Sequence, residues 1–165
     1  LYQNARMYQA DLSCCNLIQD FEDGTPSKAL RNPHLDSGEF TNAAKKHFLN
    51  TYVSYFTSFI YRREWLLSNE LLFAETKSAE DSSFLACCIL AAERIAQKEE
   101  PYYHYIIHLG SLTQRKVWKG REKRKAFAAV IDFAKRKKML CTYWPQLFYI
   151  YLKKALIVPI YEMIK

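Results

Sequence analysis

Apolar residues along the chain recur mostly at three- and four-residue spacing, the period of an amphipathic helix. Ala5, Tyr8, Leu12, Cys15 and Ile18 mark one such face and predict a first helix from Tyr2 to about Phe21, closed by Asp20, Glu22, Asp23 and Gly24. The stretch 24–38 has no period, contains Pro26 and Pro33, and reads as the one long loop. Phe40, Ala44, Phe48, Tyr52, Tyr55 and Phe59 form the inner stripe of a second helix, capped by Ser37 and running to about Phe73 or bending near Arg62-Arg63. A polar connector over 75–82 leads to a helix from Ser83 to about Lys98, with Asp81 or Ser82 as its N-cap. Phe84, Cys87, Cys88, Ala91, Ala92 and Ile95 are its buried face. Pro101 suits the first turn of the next helix and Gly110 its stop. A short turn from Ser111 or Thr113 to Gly120 then precedes a basic amphipathic helix, Arg121–Met139, with Phe127, Val130, Ile131 and Ala134 inward. Pro145 opens the last helix, and Pro159 kinks or ends it.

Composition agrees with this helical reading. Half of the 165 residues are hydrophobic and 15% are aromatic, while there are only four Gly and five Pro. So few turn-formers cannot serve the many tight turns of a sandwich or barrel. The expected fold class is therefore all-α, a single compact helical bundle of about six helices occupying 1–165, whole or as a fragment of a larger protein. The longest charge-free runs, Phe48–Tyr61 and Met139–Leu152, are 14 residues each. A spanning helix needs roughly 20, so no transmembrane segment is expected. No cationic, apolar leader stands at the start, and Leu1 in place of Met fits a processed chain or a piece of one.

Charge changes the picture at one place. From Arg115 to Lys138 eleven Lys/Arg face only Glu122 and Asp132, so this segment alone exceeds the net +7 of the whole chain. The middle, from Glu64 to Glu100, is acidic. Five cysteines (Cys14, Cys15, Cys87, Cys88 and Cys141) are an odd number in two adjacent pairs plus one, awkward for a disulfide framework. They read as buried thiols in a reducing, intracellular compartment, cytoplasm or nucleus.

Candidate chemistry is sparse. His104 and His108 would share a helix face, but HYIIH lacks the glutamate of a zinc-protease helix and no second ligand pair has metal spacing. No Gly lies in a nucleophile elbow or a phosphate-cradling loop. Adjacent carboxylates such as Glu22-Asp23 and Glu99-Glu100 read as helix-end charges. No catalytic residue, metal or cofactor is expected, and the chain reads as not an enzyme. Lys123-Arg124, ten residues and Lys135 to Lys138 match a bipartite nuclear signal, but the spacer KAFAAVIDFA is a buried helix face rather than an accessible linker. The stretch SSFLACCILAAERIAQKEEP resembles the small-residue core helix of cyclin-like folds, and nothing beyond that spacing follows from it.

The basic segment is what rises above background. Cations along a helix can track a phosphate backbone, with counterion release driving the binding. The expectation is a non-enzymatic binding module in which Arg115, Lys116, Lys119, Arg121, Lys123, Lys125, Lys135 and Arg136 engage a polyanion, nucleic acid first. A solvated basic face without a ligand is the plain alternative. Two further alternatives stand beside these. One is a protein-interaction or regulatory assembly domain using some of the twelve tyrosines. The other is a peripheral domain on anionic, phosphoinositide-bearing membrane, with Tyr143, Trp144, Tyr149 and Tyr151 at headgroup level.

Overall fold

The computed structural model describes residues 1–52, 55–108 and 120–157. Leu12 to Leu17 are buried without a break, which is the burial of a strand covered on both faces. This is β1 (Leu12–Phe21), and it follows a short helix α1 (Tyr2–Met7). The predicted helix over 2–21 is thus cut in two, with Gln9 in the left-handed region (φ 49°) at the break. Leu12, Cys14, Cys15, Leu17 and Ile18 fit helix and strand templates alike, so the spacing of Leu12, Cys15 and Ile18 carried no helix information.

The second misread segment is larger. The helix predicted from Ser83 ends at Ala91, and Ala92 is extended (φ −67°, ψ 136°). From Arg94 the chain is a 14-residue strand, β5 (Arg94–Ile107), through the Pro101 that was expected to start a helix. Half-buried Tyr103, Tyr105 and Ile107 alternate with exposed Tyr102, His104 and Ile106, a two-residue period. β5 runs parallel to β1, from Leu12↔Ile95 to Phe21↔Ile107. The register shifts around Asn16, which lies opposite Pro101, so the residue without an N–H falls where the ladder is already interrupted. Asn16 fills the gap: its amide donates to the Glu99 carbonyl and its oxygen accepts from the Asn32 N–H at 2.9 Å.

Three short antiparallel strands complete the mixed sheet. β2 (Lys28–Leu30) pairs the carboxyl half of β1, β4 (Phe59–Tyr61) its amino half, and β3 (Gly38–Glu39) the start of β5. The predicted second helix is real only as α2 (Asn42–Thr51), capped by Thr41 rather than Ser37. A 3-10 turn (Phe56–Ser58), β4 and α3 (Arg63–Ser68) replace the rest of it. The all-α expectation is therefore overturned: the fold is mixed α/β.

Two further helices lie at the C-terminal side, α5 (Gly120–Arg136) and α6 (Leu140–Ile150), followed by a π turn, Tyr151–Ile157. Between the sheet and these sits α4 (Glu80–Ala91), whose Leu85, Ala86, Cys88, Ile89 and Leu90 have no exposure at all. Phe127, Val130 and Phe133 of α5 and Tyr143, Leu147 and Ile150 of α6 join the same core. Each large side chain so sealed contributes about 1.5–3 kcal/mol. Asp11, 4% exposed, accepts from the Glu93 and Arg94 N–H groups at 2.8 and 3.0 Å and pairs with Arg62, tying the starts of β1 and β5 to the end of β4. Cys14, Cys15 and Cys88 are buried, Cys87 is half-buried and Cys141 is exposed. Burial pushes the Cys14 and Cys87 thiols up to about 12, so they pack rather than react. No helix among the described residues is long and apolar enough to cross a membrane.

Candidate functional site

Parallel strands place their carboxyl ends together, and in open α/β sheets ligands bind outside those ends. At the carboxyl ends of β1 and β5 the side chains Gln19 and Tyr105 reach the same neighbour, Tyr55. The Gln19 amide donates to the Tyr55 hydroxyl at 2.6 Å, and the Tyr55 and Tyr105 rings are 5.0 Å apart. Burial, and secondarily Tyr105, raises the Tyr55 phenol above its ordinary value, so it stays protonated at neutral pH. The charge of Asp81, in the first turn of α4, adds the least of these influences in the same upward sense.

That turn has an unusual entry. The residue before it, Ala79, is left-handed (φ 65°) and offers no side-chain cap. Asp81, expected only as a cap, sits inside the first turn, where the positive end of the helix stabilises a carboxylate. Its Oδ1 accepts from the Ser82 N–H at 2.6 Å. The neighbouring Glu80 has an oxygen, Oε2, that is sealed from solvent without a hydrogen-bond partner.

The far wall comes from α2 and the C-terminal turn. Tyr52 donates to the Ser82 carbonyl at 3.2 Å, docking the end of α2 on the start of α4. The Lys154 ammonium lies 4.2 Å from the centre of the Tyr52 ring. Burial lowers Lys154 to about 8, with Asp81 acting in the opposite sense. A cleft of about 310 Å³ opens here, lined by Leu49, Asn50, Thr51, Tyr52, Tyr149, Ile150, Lys153 and Lys154. Gln19, Tyr55 and Tyr105 thus meet at the carboxyl ends of the parallel strands, and Tyr52 and Lys154 meet beside the start of α4, which carries Asp81.

The residues predicted to hold a polyanion do not converge in this way. Arg115, Lys116 and Lys119 lie outside the described residues, as does the predicted turn before Gly120 and the break at Pro159. Arg121, Lys123, Lys125, Lys135 and Arg136 are on α5, but Lys125 and Lys135 are ten residues apart, about 15 Å along a helix. Lys125 pairs with Glu122 (3.3 Å), Lys135 with Asp132 (3.5 Å) and Arg136 with Glu70 (3.5 Å). Glu122 also accepts the Lys77 N–H at 3.1 Å, pinning the loop before α4 to α5. Three of these cations thus have an acid of the protein beside them at an exposed surface.

His104 and His108, weighed as half of a metal site, each take a carboxylate at the carboxyl end of β1: His104 with Asp20 (2.8 Å) and His108 with Glu22 (2.6 Å). Asp20 is held below the usual carboxylate range by Ser27 first and His104 second. No group of three or more His, Cys, Asp or Glu capable of holding a metal converges among the described residues.

Comparison with known proteins bears on this arrangement. No family model matches the chain. Over 118 residues, 69% of this chain, it is 30% identical to the uncharacterized glycosyltransferase EpsJ of Bacillus subtilis, and it spans 34% of that protein. Its fold is similar to that of S. aureus TarS 1-349 in complex with UDP-GlcNAc, with a TM-score of 0.56 and 19% identity, covering 99% of this chain and 49% of that one. A second structure of TarS 1-349 gives 0.52 and 19%, covering 98% and 46%. The chain therefore spans about a third of the curated relative and about half of the solved structures it resembles. These likenesses overturn the expectation of a non-enzymatic module with nucleic acid, a protein partner or a phosphoinositide membrane as its ligand. The sequence likeness is to a glycosyltransferase, and the fold likeness is to a protein solved with a nucleotide sugar.

Proposed function

We propose that this chain forms part of a glycosyltransferase that uses a nucleotide-activated sugar, and that Asp81 is the general base for the acceptor. The observation that carries the reading is the position of Asp81 in the first turn of α4, next to Ser82, whose carbonyl accepts from Tyr52, the ring on which the Lys154 ammonium lies. The likeness to EpsJ and to TarS with UDP-GlcNAc supports the donor class.

In this reading an acceptor hydroxyl oxygen attacks the anomeric carbon of the donor sugar. The bond from that carbon to the diphosphate breaks, the nucleoside diphosphate leaves with the electron pair, and the hydroxyl proton passes to the Asp81 carboxylate. Tyr55, protonated and fixed by Gln19, orients the acceptor beside Asp81. Sequence elsewhere in a longer enzyme supplies the donor pocket, in keeping with the length of the relatives. The sealed thiols Cys14, Cys15 and Cys88 support a reducing compartment for the enzyme.

The test is release of UDP from UDP-GlcNAc and other UDP-sugars by the full-length protein, with a panel of sugar and polyol acceptors. Asp81→Asn keeps size and removes the base, and should lower kcat by about 10²–10⁴-fold. Glu80→Gln, at an oxygen no acceptor can reach, should leave most of the rate. Full activity in the Asp81→Asn protein overturns the assignment.

A further inference from the structure

We propose that the outer face of α6 binds carbohydrate, with Trp144 and Phe148 stacking on one ring of an oligosaccharide acceptor whose next ring enters the cleft beside Tyr149. This rests on the transferase reading for its purpose and names the acceptor class of that reaction, while the binding itself can be measured without turnover.

α6 is apolar on both sides. Its inner side seals Tyr143, Leu147 and Ile150 at 2% exposure, and its outer side leaves Trp144, Phe148 and Tyr149 between 45% and 50% exposed. The run Met139–Leu152 holds no charged residue. One exposed ring is ordinary, but three on one side of a single helix mark a binding surface. Trp144 and Phe148 stand one turn apart with ring centres separated by 5.8 Å and planes inclined by 31°. The two rings thus form one broad, gently angled surface. The C–H groups of a sugar ring, polarised by the neighbouring oxygens, are drawn to the electron-rich face of an aromatic ring.

What lies beside the rings separates a sugar from other occupants. A lipid chain needs a continuous apolar track, whereas this surface runs into neutral polar ground. Tyr149, the residue after Phe148, lines the cleft of about 310 Å³ together with Asn50 and Thr51 of α2, both exposed. The Asn50 carboxamide offers donors and an acceptor, and the Thr51 hydroxyl, which donates to the His47 carbonyl at 2.8 Å, keeps its oxygen as an acceptor. Sugar hydroxyls call for both kinds of partner and for no charge. Apolar rings with a few placed polar groups are the usual lining of a small-molecule site. The cleft also includes Tyr52, which donates to the Ser82 carbonyl, next to Asp81. The outer face of α6 is therefore continuous, through Tyr149 and Tyr52, with the turn that carries the proposed base.

Calorimetric titration of the full-length protein with chitotetraose, cellotetraose and maltotetraose should give binding of at least one, and a far weaker response to its monosaccharide. The Trp144→Ala/Phe148→Ala protein should bind that tetrasaccharide about ten-fold more weakly, as two lost ring contacts require. Trp144→Tyr/Phe148→Tyr should restore most of the affinity. Should the alanine pair fail to fold, acrylamide quenching of Trp144 fluorescence, read against Trp144→Phe, should fall when the tetrasaccharide is bound. No tetrasaccharide binding, unchanged affinity in the alanine pair, or unaltered quenching overturns the proposal. So does a dimer that the alanine pair dissolves, or pelleting with phosphatidylglycerol vesicles, in place of saccharide binding, because a second copy or a lipid surface then covers the face. Asp81→Asn should lose transfer and keep tetrasaccharide binding. Full transfer in that protein sinks the base assignment alone, and lost transfer without any saccharide binding in the parent sinks the present proposal alone.

Discussion

The helix α5 and the first turn of α4 use charge in opposite ways. α5 gathers cations in sequence, spaces them along 17 residues and pairs several of them with its own or neighbouring acids. The region around the α4 turn has few charges, from different segments, and the Lys154 ammonium among them lies on the face of the Tyr52 ring. An exposed ion pair contributes little, typically 0.2–1 kcal/mol, because water screens it. A group drawn out of water has its protonation and affinity reset by its neighbours, as Lys154 and Tyr55 show. Local charge density is thus a poor guide to a site, and convergence of desolvated groups is a better one.

Perturbing each region separately sharpens this contrast. The largest effect on stability should come from the apolar side of α5, not its charges. Phe133→Ala removes a ring that is 3% exposed and should cost about 3–5 kcal/mol in urea unfolding, leaving the kcat of the folded fraction unchanged. A loss of stability under 1 kcal/mol would mean that α5 is not anchored as described.

Next comes the pH dependence of Lys154. Its folded value, about 8, is below the ordinary 10.5, so the unfolded chain holds the proton more tightly. The penalty is fully present below pH 8, and stability should rise between about pH 8 and 10.5, by about 3 kcal/mol. Lys154→Met should flatten that rise and be at least as stable as the parent at pH 7. An identical pH profile in the two proteins would show that Lys154 is solvated.

Tyr55→Phe should be smaller still. It removes the 2.6 Å bond from Gln19, which is worth about 1 kcal/mol, and should raise KM for the acceptor more than it lowers kcat. Smallest of all is Lys125→Gln/Lys135→Gln, which breaks two exposed pairs and should alter stability by less than about 1 kcal/mol and transfer not at all. A marked loss of transfer there would return function to the basic helix.

Parts of this arrangement were legible in the sequence. The inner faces of α4 and α5 were, because Phe84 and Cys88, and Phe127, Val130 and Ala134, stand three or four residues apart as one face of a helix requires. The run Tyr102 to Ile107 held a readable two-residue alternation that the helix-favouring place of Pro101 obscured. The site was not legible. Gln19, Tyr55, Asp81, Tyr105 and Lys154 have no mutual spacing in the chain, and Asp81 alone looks like any capping residue.

By itself, the sequence determined where the basic helix runs and that cations cluster between 115 and 138, whereas Pro145, expected to open the last helix, lies inside α6. Those are local properties, set by periodicity and composition over one or two dozen residues. Only the tertiary structure decided that Leu12–Phe21 and Arg94–Ile107 are strands, because each becomes one by pairing with the other across more than seventy intervening residues. It also decided which charges matter. Pairing β1 with β5 carries Gln19 and Tyr105 to the same end of the sheet, and packing of α2 and the C-terminal turn sets Tyr52 and Lys154 against the start of α4. Electrostatic strength depends on distance and solvent exclusion, and neither is a property of position along a chain.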